Sequence, residues 1–107
     1  MKKFLTYNVP DITYTILRNV VVNLYYLAQH QVSNTYRYRL STLISRDKGE
    51  RRRLHRAVIT NAVVSILKEL GFEFERTDGG RKKSRYMIVF RKDRDMERIE
   101  KLYSELK

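Results

Sequence analysis

The chain has 107 residues, 42% of them hydrophobic, which suits one domain with a modest core and is too short for two. It contains no cysteine, which excludes a disulfide framework and a thiolate metal site and makes a reducing, intracellular (cytoplasmic) setting the expectation. Its formal net charge is +11, so a polyanionic partner is the first candidate.

The opening "MKKFLTYNVPD" has the two lysines of a secretory leader, but Asn8, Pro10 and Asp11 break the apolar run before it reaches leader length. "NVVVNLYYLA", the most apolar later stretch, is too short to span a bilayer, so no membrane partner is expected. Asp11 reads as the N-cap of a helix from Ile12 to about His30, with Ile12, Ile16, Leu17, Val20, Val21, Leu24 and Leu27 at helical spacings. Val22, Tyr25 and Tyr26 widen that stripe, as a central core helix or a face for a second protomer would need.

"QVSNT" is a loop, and "YRYR" at 36–39 alternates as a short half-buried strand does. Ser41 reads as the cap of a short helix through about Arg46, with Leu40, Leu43 and Ile44 facing inward. "DKGE" is a turn. A long helix is expected from Glu50 to Leu70 on the stripe Ile59, Ala62, Val63, Ile66, Leu67 and Leu70, closed by Gly71. Leu54 and Val58 fall opposite that stripe on a straight helix; it bends, starts later, or uses them in another contact. "FEFERTDGGRKKSRYMIVF" alternates on both sides of an Asp-Gly-Gly turn, which predicts a hairpin with a cationic tip. Asp93 or Asp95 then caps a terminal helix carrying Met96, Ile99, Leu102, Tyr103 and Leu106. So short a helix is marginal alone and must pack on something.

Charge is unevenly spread over these elements. Residues 37–56 and 76–92 together hold fifteen Lys/Arg against three acids, a net +12, so the remainder is near neutral. Heat-adapted surfaces intersperse the two signs; segregation favours a polyanion. Arg51, Arg52, Arg53, His55 and Arg56 crowd the start of the long helix, followed by Thr60 and Asn61. Cations there oppose the helix dipole by about 0.3–1 kcal/mol each, a cost an external phosphate offsets. Arginine also pairs with guanine and asparagine with adenine, which gives Asn61 a base-reading role. Arg81, Lys82, Lys83 and Arg85 flank the glycines of the hairpin tip, and Arg37, Arg39, Ser41, Lys48 and Arg76 complete the candidate contact set.

The succession helix, short strand, short helix, long helix, basic-tipped hairpin resembles the winged helix-turn-helix DNA-binding domain over residues 11–91. "RLSTLISR" resembles its first motif helix, "ERRRLHRAVITNAVVSILKELG" its recognition helix with closing glycine, and "FEFERTDGGRKKSRYMIVF" its wing. The helix at 93–107 resembles the added dimerisation helix of small winged-helix regulators, archaeal and viral ones among them. The resemblance implies one α+β domain over 1–107 and a sequence-specific transcriptional regulator of double-stranded DNA. Its recognition helix would lie in the major groove with the wing on flanking phosphates or the minor groove. It also implies a homodimer through the first and last helices.

Enzymatic readings find little. His30 and His55 lack metal-ligand spacing, Asp93, Asp95 and Glu97 read as helix-capping acids, and Gly79-Gly80 sits in a hairpin and not before a phosphate-binding helix. No catalysis, cofactor or metal is expected. A binding alternative stays open: an RNA-binding or protein-assembly winged helix. In it, Tyr36 and Tyr38 either stack on unpaired bases or bury themselves against the hairpin.

Overall fold

The computed structural model describes residues 1–44, 56–78 and 84–106. These described residues form a mixed α+β structure of four helices and two small antiparallel sheets. A two-residue turn joins β1 (Lys2–Phe4) to β2 (Tyr7–Val9), with Leu5 at φ 54°. Such a hairpin is marginal alone. Here Phe4 and Val9 are buried in the common core, and the Tyr7 hydroxyl donates to Glu69 on a distant helix. Sequence reading assigned no element to this stretch.

α1 (Asp11–Gln29) is the central helix. Asp11 is its first residue and not its cap; Pro10 holds the N-cap position without a side-chain bond, and its carbonyl accepts from Tyr14 N–H. Asp11 still complements the positive end of the helix dipole. Ile16, Leu17, Val20, Val21, Leu24 and Ala28 are buried, whereas Ile12, expected on the same stripe, is 39% exposed. Two polar side chains, one on α1 and one in the loop that follows it, tie this part of the chain to its neighbours. Asn23 Nδ2 donates to the Leu43 carbonyl at 2.6 Å, and buried Gln31 donates to the carbonyls of Ser33 and Asn34 while accepting from the Tyr38 hydroxyl.

β3 (Thr35–Arg39) runs directly into α2 (Leu40–Ile44), so Ser41 is the second helical residue and not the cap. Leu40 and Leu43 are buried as expected, with Ile44 partly so. α3 (Arg56–Glu69) ends in a Schellman arrangement. Gly71, at φ 103°, donates to the Lys68 carbonyl, and Phe72 N–H donates to that of Leu67. Phe72 and Leu67 then share the core.

β4 (Glu73–Asp78) and β5 (Ser84–Arg91) form the expected hairpin, and β3 pairs with β5, giving the sheet order β3-β5-β4. Asp78, expected in the turn, stands opposite Ser84 as a strand residue; Gly79 and Gly80, on which the expected turn falls, lie outside the described residues.

α4 (Lys92–Leu106) starts before either predicted cap. Asn34, from the loop ahead of β3, accepts Lys92 N–H with its carbonyl and Asp93 N–H with its side chain. Asp95, one turn inside, reaches back to Arg91 N–H. Ile99, Leu102 and Leu106 are buried, and Tyr103 stacks on Tyr25 of α1 at 4.2 Å. Each such aliphatic contributes about 1.5–3 kcal/mol on burial, enough to hold a helix too short to persist alone.

Candidate nucleic-acid interface

The pairing register sorts the cations of the sheet onto two faces. Tyr36, Tyr38, Phe74, Arg76, Tyr86, Ile88 and Phe90 alternate onto the side that meets the helices, with Ile88 and Phe90 fully buried there. Arg37, Arg39, Glu73, Glu75, Met87, Val89 and Arg91 alternate onto the other. Sequence reading grouped Arg37, Arg39 and Arg76 together; the strands separate the first two from the third.

On the outer face the charges largely cancel. Arg37 makes a two-pronged contact with Glu75, its Nε at 2.8 Å, and Arg91 Nε lies 3.7 Å from Glu73. Arg94 of α4 bridges Glu73 to Asp95 and donates to the Val89 carbonyl. Val89 is fully buried on this second face. Arg39 is exposed, without an ion-pair partner among the described residues.

The Arg37 hydrogen bond, aided by the charges of Arg37 and Arg91, holds the Glu75 carboxyl below its ordinary 4.5. A carboxylate whose folded value is depressed contributes stability above the unfolded value and loses it as pH falls through the folded one. Wild type is therefore expected to melt above Glu75→Gln at pH 7, with the gap closing below about pH 4. Thermal melts at both pH values check this; a gap persisting at pH 3 would contradict the assignment.

α3 turns Val63, Val64 and Leu67 into the core, with Ala62, Ile66 and Leu70 half-buried. Its buried face thus includes Val64, which the predicted stripe omitted. Asn61, Ser65 and Lys68 are exposed and Thr60 is half-buried, so of the predicted base-reading pair Asn61 faces solvent more fully. Arg56 opens α3, and Arg85 stands opposite Thr77 in the hairpin. Ser41 is exposed on α2. Lys48, Arg51, Arg52, Arg53, His55, Arg81, Lys82 and Lys83 lie outside the described residues, as do Leu54 and the stretch of the long helix expected from Glu50.

Of the two tyrosines, Tyr38 is half-buried, and desolvation pushes its hydroxyl pKa up. Its hydroxyl is committed to Gln31 and the Leu27 carbonyl. Tyr36 is 52% exposed and tilts against Tyr38 at 4.7 Å. Tyr86, half-buried against the core, stands opposite Arg76, whose guanidinium carbon lies 5.6 Å from the ring centroid.

Among the described residues no group of three His, Asp or Glu could hold a metal, and no helix is long and apolar enough to cross a membrane. A pocket of about 170 Å³ lies between α1 and α4, lined in part by Arg18, Asn19 and Tyr103; ligand clefts usually measure roughly 300–1,000 Å³. The chain matches no protein-family model, no curated protein and no solved structure.

Proposed function

We propose that the chain is a winged-helix protein that binds double-stranded DNA in a sequence-specific manner and acts as a transcriptional regulator. The observation that carries the reading is the segregation of charge: the two segments holding a net +12 are those flanking and including the start of α3 and the hairpin tip. Glu73 and Glu75, which belong to neither segment, pair with Arg91 of the second and Arg37 of the first at the hairpin base. The element order α1, β3, α2, α3, β4, β5 and the pairing of β3 with β5 support the winged-helix reading. In this scheme α3 enters a major groove, Asn61 reads a base edge and the wing cations lie on flanking phosphates.

A homodimer belongs to the same proposal, on a changed surface. The apolar stripe of α4 is consumed against α1 within one chain, so pairing would use what α1 leaves outward, Ile12 and Tyr26 foremost.

Exposed Tyr36 favours a second reading, stacking on unpaired RNA bases. Competition separates the two: labelled random-sequence duplex bound to the protein is challenged with unlabelled duplex DNA or single-stranded RNA. Displacement by far less duplex than RNA is expected; the reverse order would favour RNA.

A further inference from the structure

We propose that Arg37 is a positioning residue: by holding Glu75 it leaves the Arg39 guanidinium free to meet a phosphate, an inference that rests on the DNA-binding reading. Both arginines lie on the outer sheet face, two residues apart on β3. Arg39 and Glu75 share one row, on either side of Met87. Their backbones therefore stand about 10 Å apart, two strand spacings. Arg37 belongs to the next row, opposite Val89, and its backbone is farther from Glu75. Yet Arg37 takes the carboxylate, through Nε at 2.8 Å and Nη2 at 3.2 Å. The diagonal pair forms in place of the direct one.

The other acids of this face are also committed. Glu73, in the row of Arg37, meets Arg91 and Arg94. Arg39 is exposed and has no ion-pair or hydrogen-bond partner among the described residues. A two-pronged carboxylate contact neutralises an arginine and uses its fork of donors, whereas an unpaired arginine keeps both for a phosphate. Position favours the same residue. β3 is an edge strand, and Arg39 is its last residue, at the end nearer the hairpin tip. From Arg39 the chain passes into α2 and on through the first basic segment, while the neighbouring β5 comes from the tip of the second. Arg39 thus stands at the corner of the sheet where the two segments approach each other along the chain.

The full-length chain and its variants are titrated against fluorescein-labelled random-sequence duplex DNA at several salt concentrations. Arg39→Gln is expected to weaken binding roughly fivefold near 100 mM salt and to flatten the slope of log affinity on log salt by about 0.9, the share of one phosphate. Arg37→Gln is expected to show the same loss, because the released Glu75 then pairs with Arg39. Adding Glu75→Gln to Arg37→Gln removes the competing acid and restores wild-type affinity and slope. The Arg37 and Glu75 side chains are 51% and 40% exposed, so losing their pair leaves the variants folded. Lys101→Gln, which removes one exposed charge on α4, controls for net charge and is expected to stay within about twofold of wild type. A double variant as weak as Arg37→Gln would make Arg37 itself the contact and overturn the proposal. Wild-type binding by Arg37→Gln or Arg39→Gln, or a Lys101→Gln loss equal to that of Arg37→Gln, would overturn it too. In each of these cases the salt response of wild type, and the DNA reading with it, would stand. Salt-independent binding by wild type and every variant alike would remove that reading, and this inference with it.

Discussion

Replacing Arg51, Arg52 and Arg53 together by alanine is expected to lower affinity for random-sequence duplex DNA by on the order of a hundredfold near 100 mM salt. Positions 51–53 lie outside the described residues, so the expectation rests on their charge and on their place before α3, which begins at Arg56. Each cation that neutralises a phosphate releases counterions and adds about 0.9 to the slope of log affinity on log salt. Losing three should flatten that slope by about 3. Cations ahead of a helix start oppose its dipole, so their removal should not lower the melting temperature. A triple variant that binds like wild type would place the polyanion contact elsewhere.

The largest effect on stability is expected at Asp95. Its side chain is fully buried and accepts from Arg94 Nε at 2.9 Å, from Arg98 Nη1 at 3.1 Å and from Arg91 N–H at 3.0 Å. Through Arg94 it reaches Glu73 on β4, and through Arg98 the Gly71 carbonyl at the end of α3. One carboxylate thus joins α4 to both the hairpin and the helix before it. Removing it leaves a buried N–H unpaired and two guanidinium groups without a counter-charge. Breaking a buried pair costs about 3–5 kcal/mol, but both arginines are more than a third exposed and can rehydrate. Asp95→Ala is therefore expected to cost about 2–3 kcal/mol, read from urea unfolding. Asp95→Asn, which keeps an acceptor for Arg91 N–H, should cost less. A loss below about 0.5 kcal/mol for alanine would mean the network is ornamental to stability.

Asp95 also marks where sequence reading stops. An acid near the start of an apolar-periodic run signals a cap, and the backbone bond to Arg91 is of that kind. That the same carboxylate is fully buried, with Arg94 passing on to Glu73 and Arg98 to the Gly71 carbonyl, depends on contacts 21 and 27 positions apart, which no local pattern carries. Periodicity over ten or more residues made α1, α3 and α4 legible, and alternation about two glycines did so for the hairpin. The β1–β2 hairpin was not legible. Three-residue strands display no convincing period, and a Leu5–Thr6 turn lacks the glycine or asparagine that marks positive φ. At the candidate interface the alternation of Tyr36, Arg37, Tyr38 and Arg39 separated tyrosines from arginines correctly. Which set shares a face with Arg76 required the pairing of Arg39 with Met87 and of Glu75 with Met87, a cross-strand register set by packing. The same gap hid Glu75 as the partner of Arg37, 38 positions away in sequence.

The central claim, that the segregated cations serve a nucleic-acid backbone, is tested most directly by fluorescence anisotropy. Wild-type protein is titrated with random-sequence duplex DNA between about 50 and 200 mM salt. With six or more phosphates contacted, affinity should fall by about a thousandfold or more across that range. Weak binding with a flat salt response would contradict the claim, because a net +12 held in two segments would then have no phosphate to meet.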